Sequence, residues 1–166
     1  MRRWPLACAL LLTIAPAAAC RAPLTSPTAP STTTAGTAAF SAEVGLCVEE
    51  TNKYRRLAGK AVLQRSGALE EYAAAAARTD GLAHTAHKHA HSTNLGNGTA
   101  RAENAILWWS VRYYGSVRQV IVRGLGEMWE QGAGGPHYRN LVGAFSEVGC
   151  GLFVNGEEVT VVQAFR

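Results

Sequence analysis

The sequence predicts an α+β domain in which helices pack on an antiparallel sheet. Apolar residues recur at helical spacing in several segments before Gly132, and the pattern changes to strand spacing from Glu147 onward. Asn155-Gly156 separates two strand-like runs, residues 148–154 and 159–165, and this dipeptide is a strong signal for a hairpin turn. Helices first and a hairpin last are typical of α+β domains.

The start of the chain has the pattern of an export signal. Arg2 and Arg3 precede an apolar run that is too short to span a bilayer, and small residues end this run at Ala19. We therefore expect residues 1–19 to form a signal peptide. Cys20 follows directly, where bacterial lipoprotein signals place the cysteine that is diacylated. The sequence thus predicts a lipid anchor at Cys20, with plain secretion after Ala19 as the alternative.

A flexible tether is expected to follow this cysteine. Residues 20–40 consist largely of Pro, Thr, Ser and Ala and contain almost no large apolar side chain. Such a segment cannot bury enough surface to offset its ordering entropy. We expect it to hold the folded domain, residues 41–166, away from the membrane.

Helix boundaries can be predicted within the domain. Ser41 is a good N-cap for a first helix that ends at Gly59, and Ser66 begins a second helix with glutamates in its first turn. The alanine run at residues 73–77 suggests that the second helix closely approaches a neighbour.

The segments after the second helix are less regular. A short helix is predicted over residues 103–114, and a clearer helical stripe covers residues 117–128. Residues 132–136 are expected to form a loop, and residues 138–145 fit either a strand or a helical turn. The first two of these four segments therefore add further helices before the final hairpin.

Charge and cysteine content restrict the functional class. The net charge of +4 falls to about +2 without Arg2 and Arg3, and the remaining basic residues are scattered, so nucleic-acid binding is not expected. Cys8 leaves with the signal peptide. If Cys20 carries lipid, Cys47 and Cys150 are left as a pair for an oxidising compartment.

Histidines are concentrated in one segment. Four of the five histidines fall within eight residues, at positions His84, His87, His89 and His91, while His137 lies far downstream. Imidazoles bind divalent metals and exchange protons near neutral pH, although this spacing matches no closed zinc motif. In an extended loop the last three of the four would share one face. A solvated loop without function is an equally good interpretation.

Carboxylates near these histidines have ordinary explanations too. Glu103 would favour the positive end of the predicted helix that begins there. Glu127 and Glu130 stand at the carboxyl end of another predicted helix, where their charge opposes the helix dipole. Their unfavourable placement is a weak indication of a role.

Five short motifs follow one another along residues 41–166. In chain order they are Asn52-Lys53-Tyr54-Arg55; Leu69 with Ala73 and Ala76; His91-Ser92 followed by Glu103-Asn104-Ala105-Ile106; Trp129 followed by His137-Tyr138-Arg139-Asn140; and Val148-Gly149-Cys150-Gly151. Together they resemble signatures of the CAP superfamily, the cysteine-rich secretory and pathogenesis-related proteins. The resemblance covers essentially the whole predicted domain.

The resemblance implies an α-β-α sandwich outside the cell, with a cleft of two histidines and two glutamates that binds a divalent metal. By motif match the cleft residues are His91, His137 and Glu103, with His89 or His87 as substitutes for His91. The family's second glutamate usually stands three residues after the tryptophan, where this chain has Gly132. Glu130 is the expected replacement and Glu127 the second choice.

Two functions are compatible with such a cleft. The resemblance favours a monomeric, non-enzymatic binding module for a lipid, peptide or protein, with His91 and His137 holding zinc or another divalent cation. The alternative is a metal-assisted hydrolase in which Glu103 acts as general base. The absence of an HExxH helix and of an evident nucleophile in the sequence favours binding.

Overall fold

A computed structural model describes residues 39–166. The predicted signal peptide, Cys20 and nearly all of the predicted tether lie outside the described residues. The elements are, in chain order, α1 (Ser41–Leu57), β1 (Gln64–Arg65), α2 (Gly67–Ala83), α3 (Lys88–Gly98), β2 (Ala102–Ser110), α4 (Val111–Tyr114), α5 (Val117–Glu130), α6 (Pro136–Leu141), β3 (Glu147–Asn155) and β4 (Glu158–Phe165).

Four strands form one sheet in the order β1-β3-β4-β2. Both strands that pair with β4 are antiparallel to it, and the sequence predicts one of these pairs, the hairpin of β3 and β4. The two-residue strand β1 adds a short parallel contact with β3. The sheet is therefore antiparallel except at this edge.

Helices cover both faces of the sheet. On one face, α1 and α5 pack against the apolar side chains of β3 and β4 that include Val148, Val161 and Phe165. On the other face, α2 packs against Val162 and Ala164 of β4. This arrangement is the α-β-α sandwich that the resemblance implies, and the α+β class is confirmed.

The second helix lies very close to the sheet. A Cβ atom on Gly151 would stand 2.1 Å from the backbone nitrogen of Ala74, and one on Gly149 would stand 2.4 Å from that of Glu70. Only glycine leaves room for the helix backbone at these two positions. The alanines of α2 form the helix side of this contact, because Ala73, Ala76 and Ala77 are fully buried there. The expected close approach is therefore present.

The hairpin is confirmed, with its turn shifted by one residue. Asn155 pairs with Glu158, so the two-residue loop is Gly156-Glu157 and not Asn155-Gly156. Gly156 has φ of +61°, a conformation that glycine adopts at little steric cost. The glycine and not the asparagine therefore takes the first central position of the turn.

The predicted helix over residues 103–114 is wrong. Residues Ala102–Ser110 form the edge strand β2, which pairs with β4, and only the single turn α4 is helical. Asn104 and Ile106 alternate with less buried neighbours, as strand residues do. A short run rich in bulky apolar groups does not distinguish helix from strand, and pairing with β4 decided the outcome.

The histidine-rich segment is also not an extended loop, because Lys88–Gly98 forms α3. Its last part is unusual: Asn94, Leu95, Gly96 and Asn97 all have left-handed backbone angles. Downstream, residues 138–145 contain a helical turn, the end of α6, and no strand.

Cys47 of α1 and Cys150 of β3 form a disulfide, and both residues are fully buried. The predicted pairing is confirmed. Among residues 39–166, no helix is both long and apolar enough to span a bilayer.

Candidate functional site

Glu103 is the centre of the site. It stands opposite Ala164 in the antiparallel pairing of β2 with β4, and its side chain contacts α2. One carboxylate oxygen accepts a hydrogen bond from the Tyr72 hydroxyl at 2.7 Å, and the other contacts Nδ1 of His87 at 2.6 Å. The side chain is only 4% exposed. The carboxylate is therefore held in place by strand register and by two partners.

His87 is the histidine that the fold brings to this carboxylate. It is the N-cap residue of α3 and has a left-handed backbone with φ of +55°. A carboxylate can only accept, so Nδ1 of His87 carries the proton in this contact. The hydrogen bond to Glu103 raises the pKa of His87 and outweighs the opposing effect of burial.

Asp80 is a third member that the sequence analysis did not find. It is fully buried on α2, and one of its carboxylate oxygens accepts the backbone N–H of His89 at 2.9 Å. The other oxygen, Oδ2, has no hydrogen-bond partner among the described residues. Burial raises the pKa of Asp80. Ligating atoms of Asp80, His87 and Glu103 all lie within 4.8 Å of one another.

A cavity of about 430 Å³ adjoins this group. Its lining residues are His87, Ala90, His91, Asn94, Leu95 and Glu103. His91 lies one turn after His87 on α3, which explains why both histidines face the same cavity. The left-handed turn supplies Asn94 and Leu95 to the wall. The volume falls within the range of small-molecule sites.

His137 belongs to a helix that contacts β2 beside Glu103. It lies on α6, and Nδ2 of Asn104 donates to its backbone carbonyl at 3.1 Å. Asn140 of the same helix donates to the backbone carbonyl of Glu103 at 3.2 Å and to Oδ1 of Asn104 at 2.9 Å. The two asparagines therefore attach α6 to β2 beside Glu103. Burial, and secondarily the charge of His87, lower the pKa of His137.

The asparagines belong to a longer polar chain through the core. Asn104 also donates to Oε1 of Gln163 at 3.2 Å, and Gln163 donates to the Thr51 hydroxyl at 2.5 Å. Thr51 in turn donates to the carbonyl of Cys47 at 2.7 Å. All three side chains between α1 and α6 are buried. Hydrogen bonds therefore connect polar residues from several separate motifs, and this chain of contacts supports the site.

Neither predicted glutamate of α5 forms a contact with these histidines. Glu130 is exposed, and its side chain forms no hydrogen bond or ion pair within residues 39–166. Glu127 is bound to Arg123 at 3.1 Å. The residue that does contact His137 is Gln131, directly after α5, with Nε2 at 2.7 Å from Nδ1. The motif match did not indicate Gln131, because the family's residue near this tryptophan is a glutamate and not an amide.

The two remaining histidines have other partners. His84 contacts Glu158 at 2.9 Å and lies against the ring of Trp108. His89 lies against Tyr72, and its Nδ1 is 3.4 Å from the hydroxyl of Thr79.

The His87–Glu103 contact predicts a pH-dependent stability. Because the folded state raises the pKa of His87, its contribution is complete below the unfolded value of about 6.5 and is lost as pH rises through the folded value. We expect the excess unfolding free energy of wild type over His87→Gln to fall as the pH rises above about 6.5. Urea denaturation with a chelator present measures this difference.

The exposed histidine His84 supplies the matched control for this measurement, because its pair with Glu158 lies at the surface. We expect little pH dependence in the difference between wild type and His84→Gln, since exposed pairs contribute little. A wild-type excess over His87→Gln that stays constant across the pH range would contradict the assignment.

The family model of CAP, the cysteine-rich secretory protein family, matches residues 48–165. No curated protein matches the sequence. A crystal structure of a cysteine-rich secretory protein from Staphylococcus aureus subsp. aureus Mu50 is similar at 14% sequence identity and a TM-score of 0.48. The match covers 76% of this chain and 39% of that protein, so this chain spans well under half of its length.

The family match covers most of the chain and nearly all of the described residues. It includes Cys150 of the disulfide, both histidine-bearing helices and the strand of Glu103. The chain belongs to the CAP family of cysteine-rich secretory proteins.

Proposed function

We propose that this CAP domain is an extracellular binding module that holds a divalent cation, and through it a small ligand, at Asp80, His87 and Glu103. The observation that carries the proposal is the unpartnered Oδ2 of Asp80. A fully buried carboxylate oxygen without a donor is costly, and a cation would satisfy it.

The donor set fits such an ion. Two carboxylates and an imidazole are ligands that zinc accepts, and further positions can be taken by water or a ligand. The three groups come from α2, from the start of α3 and from β2, so packing of these elements sets their spacing. A bound cation would polarise a carbonyl or carboxylate group of the ligand. The cavity beside His87 offers space for the rest of such a ligand.

Binding is a better proposal than hydrolysis because of the contacts of Glu103. A general base must be free to take a proton from water. Both oxygens of Glu103 already have partners, the Tyr72 hydroxyl and the His87 ring. A metal-assisted hydrolase would need Glu103 as its base, whereas in the proposed site Glu103 holds the cation and also bonds Tyr72, which makes the hydrolase the second candidate.

We further propose that the protein is exported and anchored to the cell envelope. The buried disulfide is typical of proteins that fold in an oxidising compartment, and CAP domains are typically extracellular. The signal-like start of the chain and Cys20 support a lipid anchor on the cell envelope, with free secretion as the alternative. Mass spectrometry of the purified mature protein would reveal a diacyl modification at Cys20.

Zinc titration of the purified protein tests the cation site. We expect wild type to bind Zn²⁺, and His87→Ala and Asp80→Asn each to weaken binding by about tenfold or more. His84→Ala is the matched control, because this surface histidine is paired with Glu158. His91→Ala tests the ligand expected from the motif match. Equal zinc affinity in wild type, His87→Ala and Asp80→Asn would contradict the proposal.

Hydrolysis is tested on the same proteins. We expect no turnover of a peptide library, with or without a chelator, because Glu103 is engaged on both oxygens. Chelator-sensitive turnover in wild type that is absent in Glu103→Ala would replace the binding module with the hydrolase.

A further inference from the structure

The contact between Gln131 and His137 has a definite hydrogen-bond polarity. The backbone N–H of His137 can only donate, and it lies 3.3 Å from Oε1 of Gln131. The amide oxygen must therefore face the backbone, which leaves the amide nitrogen to face the ring. Nε2 of Gln131 lies 2.7 Å from Nδ1 of His137. Because the amide nitrogen is only a donor, Nδ1 of His137 must accept.

This polarity decides where the ring carries its proton. A neutral imidazole has one donor and one acceptor nitrogen, so the proton of neutral His137 is on Nε2. Protonation of both nitrogens would place a hydrogen on Nδ1 against the amide N–H. Burial favours the neutral ring in addition, and the charge of His87 acts in the same direction.

His87 has the opposite arrangement. Its Nδ1 donates to Glu103, so in the neutral ring the lone pair is on Nε2. A cation at Asp80, His87 and Glu103 would take the place of this proton, whereas Nδ1 of His137 faces an N–H donor. The two imidazoles attached to the Glu103–Asn104 segment therefore differ in chemistry.

We propose that Gln131 is a positioning residue that holds His137 as the Nε2–H tautomer, so that His137 is not a ligand of the cation. This inference rests on the proposed cation site and removes His137 from its ligands. The assignment differs from the motif-based expectation that His137 coordinates metal.

The tautomer can be measured directly in the metal-free protein. Long-range proton–nitrogen correlation spectra of ¹⁵N-histidine-labelled protein distinguish the protonated from the unprotonated ring nitrogen. We expect His137 to be protonated at Nε2 in wild type. In Gln131→Glu the new carboxylate accepts from both the backbone N–H and the ring, so we expect the proton to move to Nδ1. Gln119→Glu, an exposed change on α5, is the matched control and should leave the tautomer unchanged.

Zinc titration supplies a second, independent readout. We expect His137→Ala to keep the zinc dissociation constant of wild type, whereas loss of a true ligand would weaken binding about tenfold or more. Protonation of His137 at Nδ1 in wild type, or a loss of zinc affinity in His137→Ala, would overturn the inference. An unchanged zinc affinity in His87→Ala would instead refute the cation site, and the tautomer measurement would still stand.

Discussion

Removal of the Cys47–Cys150 disulfide is expected to lower the unfolding free energy by about 4–5 kcal/mol. The two cysteines are 103 residues apart in sequence, so the bond closes most of the domain into one loop. In chain-entropy terms, the cross-link removes conformations from the unfolded chain, and the effect increases with loop length. The bond joins α1 to β3 inside the core.

Urea denaturation of wild type and of the double variant Cys47→Ala/Cys150→Ala measures this contribution. Wild type with the disulfide reduced is the control, since it keeps the cysteine side chains and loses only the bond. We expect both reduced wild type and the double variant to unfold at much lower urea than the oxidised protein. Equal midpoints for oxidised and reduced wild type would show that the bond does not stabilise the domain.

Arg55→Ala is expected to cost about 3–6 kcal/mol, the second large effect. Arg55 is only 3% exposed at the end of α1. Its Nε donates to the carbonyl of Ala61 at 2.8 Å, and Nη1 donates to those of Leu141 and Gly143 at 2.8 and 3.0 Å. Removal of the guanidinium leaves these carbonyls without their charged donor, and each lost partner costs about 1–3 kcal/mol.

Arg56→Ala is the matched control, because this neighbouring arginine is exposed. Urea denaturation of both variants gives the comparison, and we expect Arg56→Ala to be close to wild type. Arg55→Lys should recover only part of the loss, since an ammonium lacks the planar fork that spans several carbonyls. Similar stabilities for Arg55→Ala and Arg56→Ala would contradict the structural role.

Arg55 also affects the site indirectly. Two of its acceptors, Leu141 and Gly143, lie at and just beyond the end of α6, the helix that carries His137. The nearby motif residue Asn52 makes a similar contact, because its amide bonds both the N–H and the carbonyl of Leu63. The first-helix motif is therefore explained by backbone support and not by a ligand contact.

Much of the fold could be predicted from local sequence patterns. The extents of α1 and α2, the stripe of α5 and the final hairpin follow from periodicity and a glycine turn, which act within a few residues. Ser66 is the N-cap of α2 as predicted, but the N-cap of α1 is Phe40 and not Ser41, and neither residue forms a side-chain cap hydrogen bond. The Cys47–Cys150 pair followed from counting cysteines under the assumption that Cys20 is lipidated. The motif order identified the family correctly.

The strand β2 could not be predicted in the same way. Its apolar run is compatible with a helix, and pairing with β4, whose residues stand about 50 to 60 positions downstream of their partners, determines its conformation. This pairing also determines that Glu103 and Asn104 face opposite sides of the sheet, since successive strand residues alternate. Glu103 therefore contacts α2, and Asn104 holds α6.

The sequence by itself determined which functional groups and signals this chain contains. They are the clustered histidines, Glu103 and a signal-like start before Cys20. Only the tertiary structure decided which of these groups meet. It brings His87 to Glu103, places His91 on the cavity wall, adds the buried Asp80 and gives His137 a glutamine partner. These contacts depend on side-chain direction and on elements that are far apart in sequence, and local periodicity contains no information about either.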